Sequence, residues 1–155
     1  MFIWGKYVQA ERGAFEPRVQ AYLPTATGLW HRFEFLIDSG SDHTFLPPDG
    51  AKTLRINLSA LRTSDDAGGV GSNRLVYYKF DTELRFLMGG HMRPVPVTIG
   101  IFQDEGLLDL PVLGRDVLDQ FALVLDRSRN LVALIDPSQP NQIAQWMVNH
   151  WLRNG

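Results

Sequence analysis

Apolar and polar residues alternate with a period of two over much of this chain, the spacing of strands that bury one face. Arg18-Val19-Gln20-Ala21-Tyr22-Leu23 is one such stretch, and residues 93–102 place Val95, Val97, Ile99 and Ile101 on one face despite two prolines. Residues 2–10 and 29–37 predict further strands, and the latter turns fully apolar at its end, as a strand does when it enters a core. Residues 44–46 resume an extended path that Pro47-Pro48 ends, and 49–54 read as a short helix capped by Asp49. Strands are expected over 74–82 and 83–88, the second turning at Gly89-Gly90, with a polar, glycine-rich tip over 65–72 before them. Residues 110–113 are apolar and end at Gly114, 117–121 suggest a helical turn, and 122–126 with 131–135 form a hairpin around Arg127-Ser128-Arg129-Asn130. The pattern then changes. Ile143, Ala144, Met147, Val148, Trp151 and Leu152 follow helical spacing over 141–152, with Pro140 as a start signal.

The expected architecture is one mainly β domain of 155 residues with a C-terminal amphipathic helix over about 141–153. No apolar run approaches the roughly 20 residues that span a bilayer, and the first residues lack the pattern of a secretion signal. These features lead to an expectation of a cytoplasmic location and no membrane segment. A net charge of −2 gives no basic excess for gripping nucleic acid. Cysteine is absent, so disulfides, thiolate metal sites and a cysteine nucleophile are excluded. His31, His43, His91 and His150 form no paired ligand spacing, and Asp65-Asp66 lacks the rest of a calcium loop, so neither a metal nor another cofactor is expected.

The segment richest in chemistry is Phe35-Leu36-Ile37-Asp38-Ser39-Gly40-Ser41-Asp42-His43-Thr44-Phe45-Leu46. It puts a carboxylate at the end of an apolar strand, where an unanswered charge costs several kcal/mol. Gly40 permits a tight turn that aims backbone N–H groups at that carboxylate, and Ser39 and Ser41 add short hydroxyl donors. Chance alone supplies Asp-Ser/Thr-Gly in roughly one chain in ten of this length, so the flanking residues matter. A serine hydrolase reading lacks the Gly-x-Ser-x-Gly elbow.

This stretch resembles the active-site loop of aspartic proteases, and two later segments resemble the retroviral-type (retropepsin-like) branch in the right order. Gly68-Gly69-Val70-Gly71-Ser72 is similar to its flap tip, and Val112-Leu113-Gly114-Arg115-Asp116-Val117-Leu118 to its Gly-Arg segment. The resemblance covers about residues 19–135. It implies a closed-barrel-like acid protease fold with a flap hairpin and one short helix. It implies Asp38 as the catalytic residue, with Ser39, Gly40, Ser41, Asp42 and Arg115 supporting the loop. The arginine of the Gly-Arg segment pairs with the acidic residue four positions after the catalytic one, so an Asp42–Arg115 ion pair is expected. Leu36, Gly40, Asp42, His43, Val70, Leu110 and Val112 map to the peptide-binding surface, and the apolar ones among them to subsite walls. Asp116 is not a second catalytic residue, because Arg115 precedes it and no Ser/Thr-Gly follows.

Hydrolysis by two carboxylates needs both groups within a few ångströms, sharing a proton and a water. The chain has one Asp-Ser-Gly, so a homodimer that brings Asp38 beside its own copy is the expected assembly. Ser39 stands where the family more often has threonine, keeping the hydroxyl and losing a methyl. The family interlaces terminal strands at the dimer interface, which here leaves two candidates, the 131–135 strand and the C-terminal helix. The expected activity is that of an endopeptidase acting on peptides or proteins. The rivals are a non-catalytic dimerisation or peptide-binding module of the same fold, and a small β-barrel carrying the motif by chance.

Overall fold

The computed structural model describes residues 1–67, 75–138 and 140–149. The chain runs through β1 (Phe2–Gln9), β2 (Phe15–Pro24), β3 (Trp30–Ile37), β4 (Phe45–Leu46), α1 (Pro48–Leu54), β5 (Arg62–Ala67), β6 (Leu75–Met88), β7 (His91–Phe102), β8 (Val112–Leu113), α2 (Arg115–Leu118), β9 (Ala122–Asp126), β10 (Leu131–Ile135) and α3 (Pro140–Met147). Its described strands form one sheet in the order β5-β6-β7-β4-β8-β3-β2-β1-β10-β9. Tyr22 of β2 also pairs with Arg85 of β6, which closes the strands from β6 round to β2 into a ring. The fold is mainly β, as the alternation predicts, and closed-barrel-like, as the family resemblance implies.

The alternation works because one parity of each strand points inward. Val19, Ala21 and Leu23 of β2, Phe35 and Ile37 of β3, and Val95, Ile99 and Ile101 of β7 are all buried in one cluster with Leu84 and Phe86 of β6. Burying each large side chain there contributes roughly 1.5–3 kcal/mol. Pro94 and Pro96 are tolerated because β4 meets β7 only at Gly100 and Ile101, leaving the proline half of β7 paired on one side.

Several local expectations change. Residues 75–88 are one continuous strand, not two; its first half pairs with β5 and its far end reaches β2. Asp65, Asp66 and Ala67, read as part of a loop tip, belong to β5, whose polar sequence hides it from a hydrophobic pattern. Pro47, not Asp49, occupies the cap position of α1; Asp49 lies in the first turn, where its charge suits the helix dipole. The one-turn helix α2 starts at Arg115, two residues earlier than expected. The helix at the C-terminal end is described as far as Met147, and His150 to Leu152 lie outside the described residues. No described helix is long and apolar enough to cross a membrane.

The terminal strands take positions that the alternation does not specify. β10 lies between β1 and β9, with Phe2 opposite Ile135 on one side and Leu131 opposite Asp126 on the other. Both of its edges are satisfied within the chain. Among the described strands the sheet ends at β5 and β9. Trp146 of α3 is buried against Phe2, with ring centroids 5.6 Å apart, so this helix packs on its own chain.

Candidate active site

β8 is only two residues long, yet it organises the site. It runs parallel to β3, with Leu36 beside Val112 and Ile37 beside Leu113, and antiparallel to β4, with Phe45 opposite Val112. The loop 38–44 leaves β3 on one side of β8 and returns as β4 on the other. Asp38 stands at the head of this loop, where the β3 ladder has just ended. Its N–H still donates to the Leu113 carbonyl at 3.1 Å, which ties the carboxylate to the framework through the main chain.

Asp38 as a residue is half-buried. Gly40 N–H donates to Oδ1 at 2.9 Å, and Ser41 N–H closes a turn onto the Asp38 carbonyl at 3.1 Å. A Cβ on Gly40 would stand 3.1 Å from Oδ1, so the close approach needs glycine. Among the described residues Oδ2 receives no hydrogen bond. One oxygen is thus anchored and the other left available. Ser39 and Gly40 are exposed in the single chain. Ser41 does not donate to Asp38, as the sequence suggested; its hydroxyl donates to the His43 carbonyl at 2.7 Å and shapes the loop instead. A hydroxyl two residues from a carbonyl in the same turn finds it before it finds a side chain further back.

The loop is stitched to the segment after β8 at several points. Arg115 N–H donates to the Ser41 carbonyl at 2.8 Å and Asp116 N–H to the Asp42 carbonyl at 3.2 Å. The Arg115 guanidinium meets the Asp42 carboxylate, the ion pair anticipated for these two residues. That contact, together with the nearby positive charge, holds Asp42 below the usual carboxylate range and raises Arg115 above its own. Both side chains are exposed, so the pair orients the loop more than it stabilises the fold.

A stronger tie was not legible beforehand. Both oxygens of Asp116 accept from Thr44, one from its N–H at 2.9 Å and one from its hydroxyl at 2.7 Å. The same hydroxyl accepts from Gly114 N–H at 3.1 Å. Thr44 is fully buried, so each of these groups needs its partner. Asp116 is therefore a clamp on the loop, consistent with its exclusion as a second catalytic group. A Cβ on Gly114 would overlap the His43 carbonyl, so this crossing is open only to glycine.

Leu36 and Leu110 are half-buried and Val112 is buried, with Leu36 and Val112 side by side across the parallel pair. Gly68, Gly69, Val70, Gly71 and Ser72, the expected flap tip, lie outside the described residues. Phe45, Tyr77 and Phe102 form a second apolar cluster beside the loop, with Phe45 stacked on Phe102 at 4.7 Å and edge-on to Tyr77 at 5.2 Å. His43 leans on this cluster, 6.3 Å from Phe45 and 6.4 Å from Tyr77. Gly100 makes room for it, because a Cβ there would overlap the Phe45 ring. His43 and Asp116 also border an open cavity of about 480 Å³. Among the described residues no group of three acidic, histidine or cysteine side chains is placed to hold a metal.

Comparison with solved structures supports the same fold. A retropepsin-like aspartic protease from Rickettsia conorii superposes with a TM-score of 0.60 at 18% identity, over 86% of this chain and 89% of that one. Weaker likenesses include the EIAV protease complexed with the inhibitor HBY-793 (TM-score 0.43, 20% identity, 76% of this chain and 100% of that one). The retroviral protease-like domain of Ddi1 from Leishmania major is another (TM-score 0.40, 16% identity, 75% and 94%). No curated protein matches the chain significantly. A family model described as aspartyl protease matches residues 25–117, the span from the start of β3's hairpin through the Gly-Arg segment, and by that match the chain belongs to the aspartyl protease family.

Proposed function

We infer that this protein is an aspartic endopeptidase that works as a homodimer, with Asp38 and its copy sharing one proton and activating one water. The observation that carries this reading is the Asp38 carboxylate: one oxygen is fixed by Gly40 N–H, and the other has no donor among the described residues. A single carboxylate held in this way can take a proton from water but cannot also give one to the substrate carbonyl. A second carboxyl a few ångströms away supplies the missing acid, because two such groups cannot both ionise. The sequence has one Asp-Ser-Gly, so the second group would come from another copy of the chain. The edge of β9, unpaired among the described residues, suits such an assembly, since a two-fold axis beside it would continue the sheet from one subunit into the other. A peptide substrate would lie extended across the floor made by the loop 38–44, with Leu36, Leu110 and Val112 as apolar walls.

The test is cleavage of a peptide library by the wild type and by Asp38→Asn, followed by mixing the two. Wild type alone should cleave and Asp38→Asn should not. If subunits exchange freely, adding an equal amount of Asp38→Asn should cut wild-type activity to about half, because mixed dimers hold one carboxylate. Cleavage that survives Asp38→Asn, or wild-type activity indifferent to the added variant after the two are unfolded and refolded together, contradicts the mechanism.

A further inference from the structure

The floor beside His43 carries a charge arrangement that stability alone does not account for. Arg62 of β5 stands directly opposite Lys79 of β6 in the antiparallel ladder. Residues directly opposite share a face, and two like charges so placed destabilise a sheet. Asp81 answers one of them: its Oδ2 lies 3.1 Å from Arg62 Nη2, and its Oδ1 accepts the Thr98 hydroxyl at 2.7 Å. Lys79 is half-buried and has no ion-pair partner among the described residues. The carboxylates of the neighbouring loop region are engaged, Asp42 with Arg115 and Asp116 with Thr44. Lys79, Arg62, Tyr77, Thr98 and His43 together line a cavity of about 300 Å³. His43 belongs to the loop that begins at Asp38, so this cavity adjoins the site that would bind substrate.

A local arrangement that works against folding, kept beside a catalytic loop, is the usual mark of a residue retained for a ligand. We propose that this cavity is a specificity subsite that takes an Asp or Glu side chain of the substrate, one position or more beyond the residues at the scissile bond, with Lys79 as its counter-ion. The occupant follows from the reading of the chain as a peptidase. A carboxylate fits better than a phosphate ester, because one ammonium matches one negative charge and Arg62 is already held by Asp81. Thr98 and His43 line the same space, but the Thr98 hydroxyl is committed to Asp81, so Lys79 is the group left to answer the bound charge.

The experiment uses paired peptides that differ only by Glu or Gln at each position flanking the cleaved bond, assayed with the dimeric wild type, Lys79→Met and Lys79→Glu. At one position the wild type should favour Glu over Gln by roughly tenfold in kcat/KM. That ratio should fall to about one in Lys79→Met, and Lys79→Glu should favour a Lys peptide over its Glu counterpart. Because each ratio is taken within one variant, a general loss of activity does not imitate the effect. A wild-type ratio near one at every position overturns the proposal, as does a Glu preference that persists in Lys79→Met. Should the wild type cleave nothing, the peptidase reading is what fails. The subsite is then judged by fluorescence anisotropy of the same peptides, and equal binding of the Glu and Gln forms overturns it.

Discussion

Asp116 grips Thr44 with both carboxylate oxygens across 72 positions of sequence, at 2.9 Å to the N–H and 2.7 Å to the hydroxyl. This contact, together with the Thr44 hydroxyl's acceptance of Gly114 N–H, locks the return of the loop 38–44 to the strand that follows it. Asp116→Ala would leave two donors of a buried residue without acceptors, and should cost roughly 2–4 kcal/mol of stability. Asp116→Asn keeps an acceptor for the Thr44 N–H but leaves the hydroxyl proton without one, so a smaller loss of about 1–2 kcal/mol is expected. Urea denaturation of the three proteins checks the order. Cleavage activity should fall further in Asp116→Ala than in Asp116→Asn, because the loop that carries Asp38 loosens.

The edge of β9 is the second point of test. Leu125 is 42% exposed on this strand, and the strand has no partner on its outer side among the described residues. A lysine on an edge strand discourages pairing with another chain. Leu125→Lys should raise the dimer dissociation constant by about tenfold or more while barely changing the stability of the subunit. Analytical ultracentrifugation over a range of concentrations measures the first and thermal melting at low concentration the second. A dimer of unchanged affinity would place the interface elsewhere.

Asp126, at the end of the same strand, makes stability depend on acidity. Its carboxylate accepts from the Ser128 hydroxyl at 2.6 Å and from the Arg129 guanidinium at 2.8 Å and N–H at 3.2 Å. The Ser128 bond first and the Arg129 contacts next lower its pKa to about 2, from an ordinary 3.8. A carboxyl whose folded value is depressed favours folding when ionised. Its contribution is therefore complete above about pH 4 and lost as the pH falls through about 2. Asp126→Asn should melt below the wild type near neutrality, and the gap should close between pH 4 and pH 2. A gap that stays constant over that range would show that the hairpin does not depend on this charge.

Sequence alone determined the class of fold, the position of most strands and the loop headed by Asp38. Each of these is written locally. A period of two marks a strand wherever one face is buried, and Asp-Ser-Gly after an apolar run marks a turn that must answer a buried charge. The Asp42–Arg115 contact was legible only because a family resemblance linked two segments that nothing local connects. The tertiary structure decided what depends on distant parts of the chain meeting. It joined residues 75–88 into one strand, gave polar β5 its place by pairing it with β6, and clamped Thr44 with Asp116. It also enclosed β10 between β1 and β9, leaving β9 at the edge, and set Arg62 against Lys79. The physical reason is the same in each case. Hydrogen-bond partners across a sheet and charges across a ladder are fixed by register, and register exists only once the strands have met.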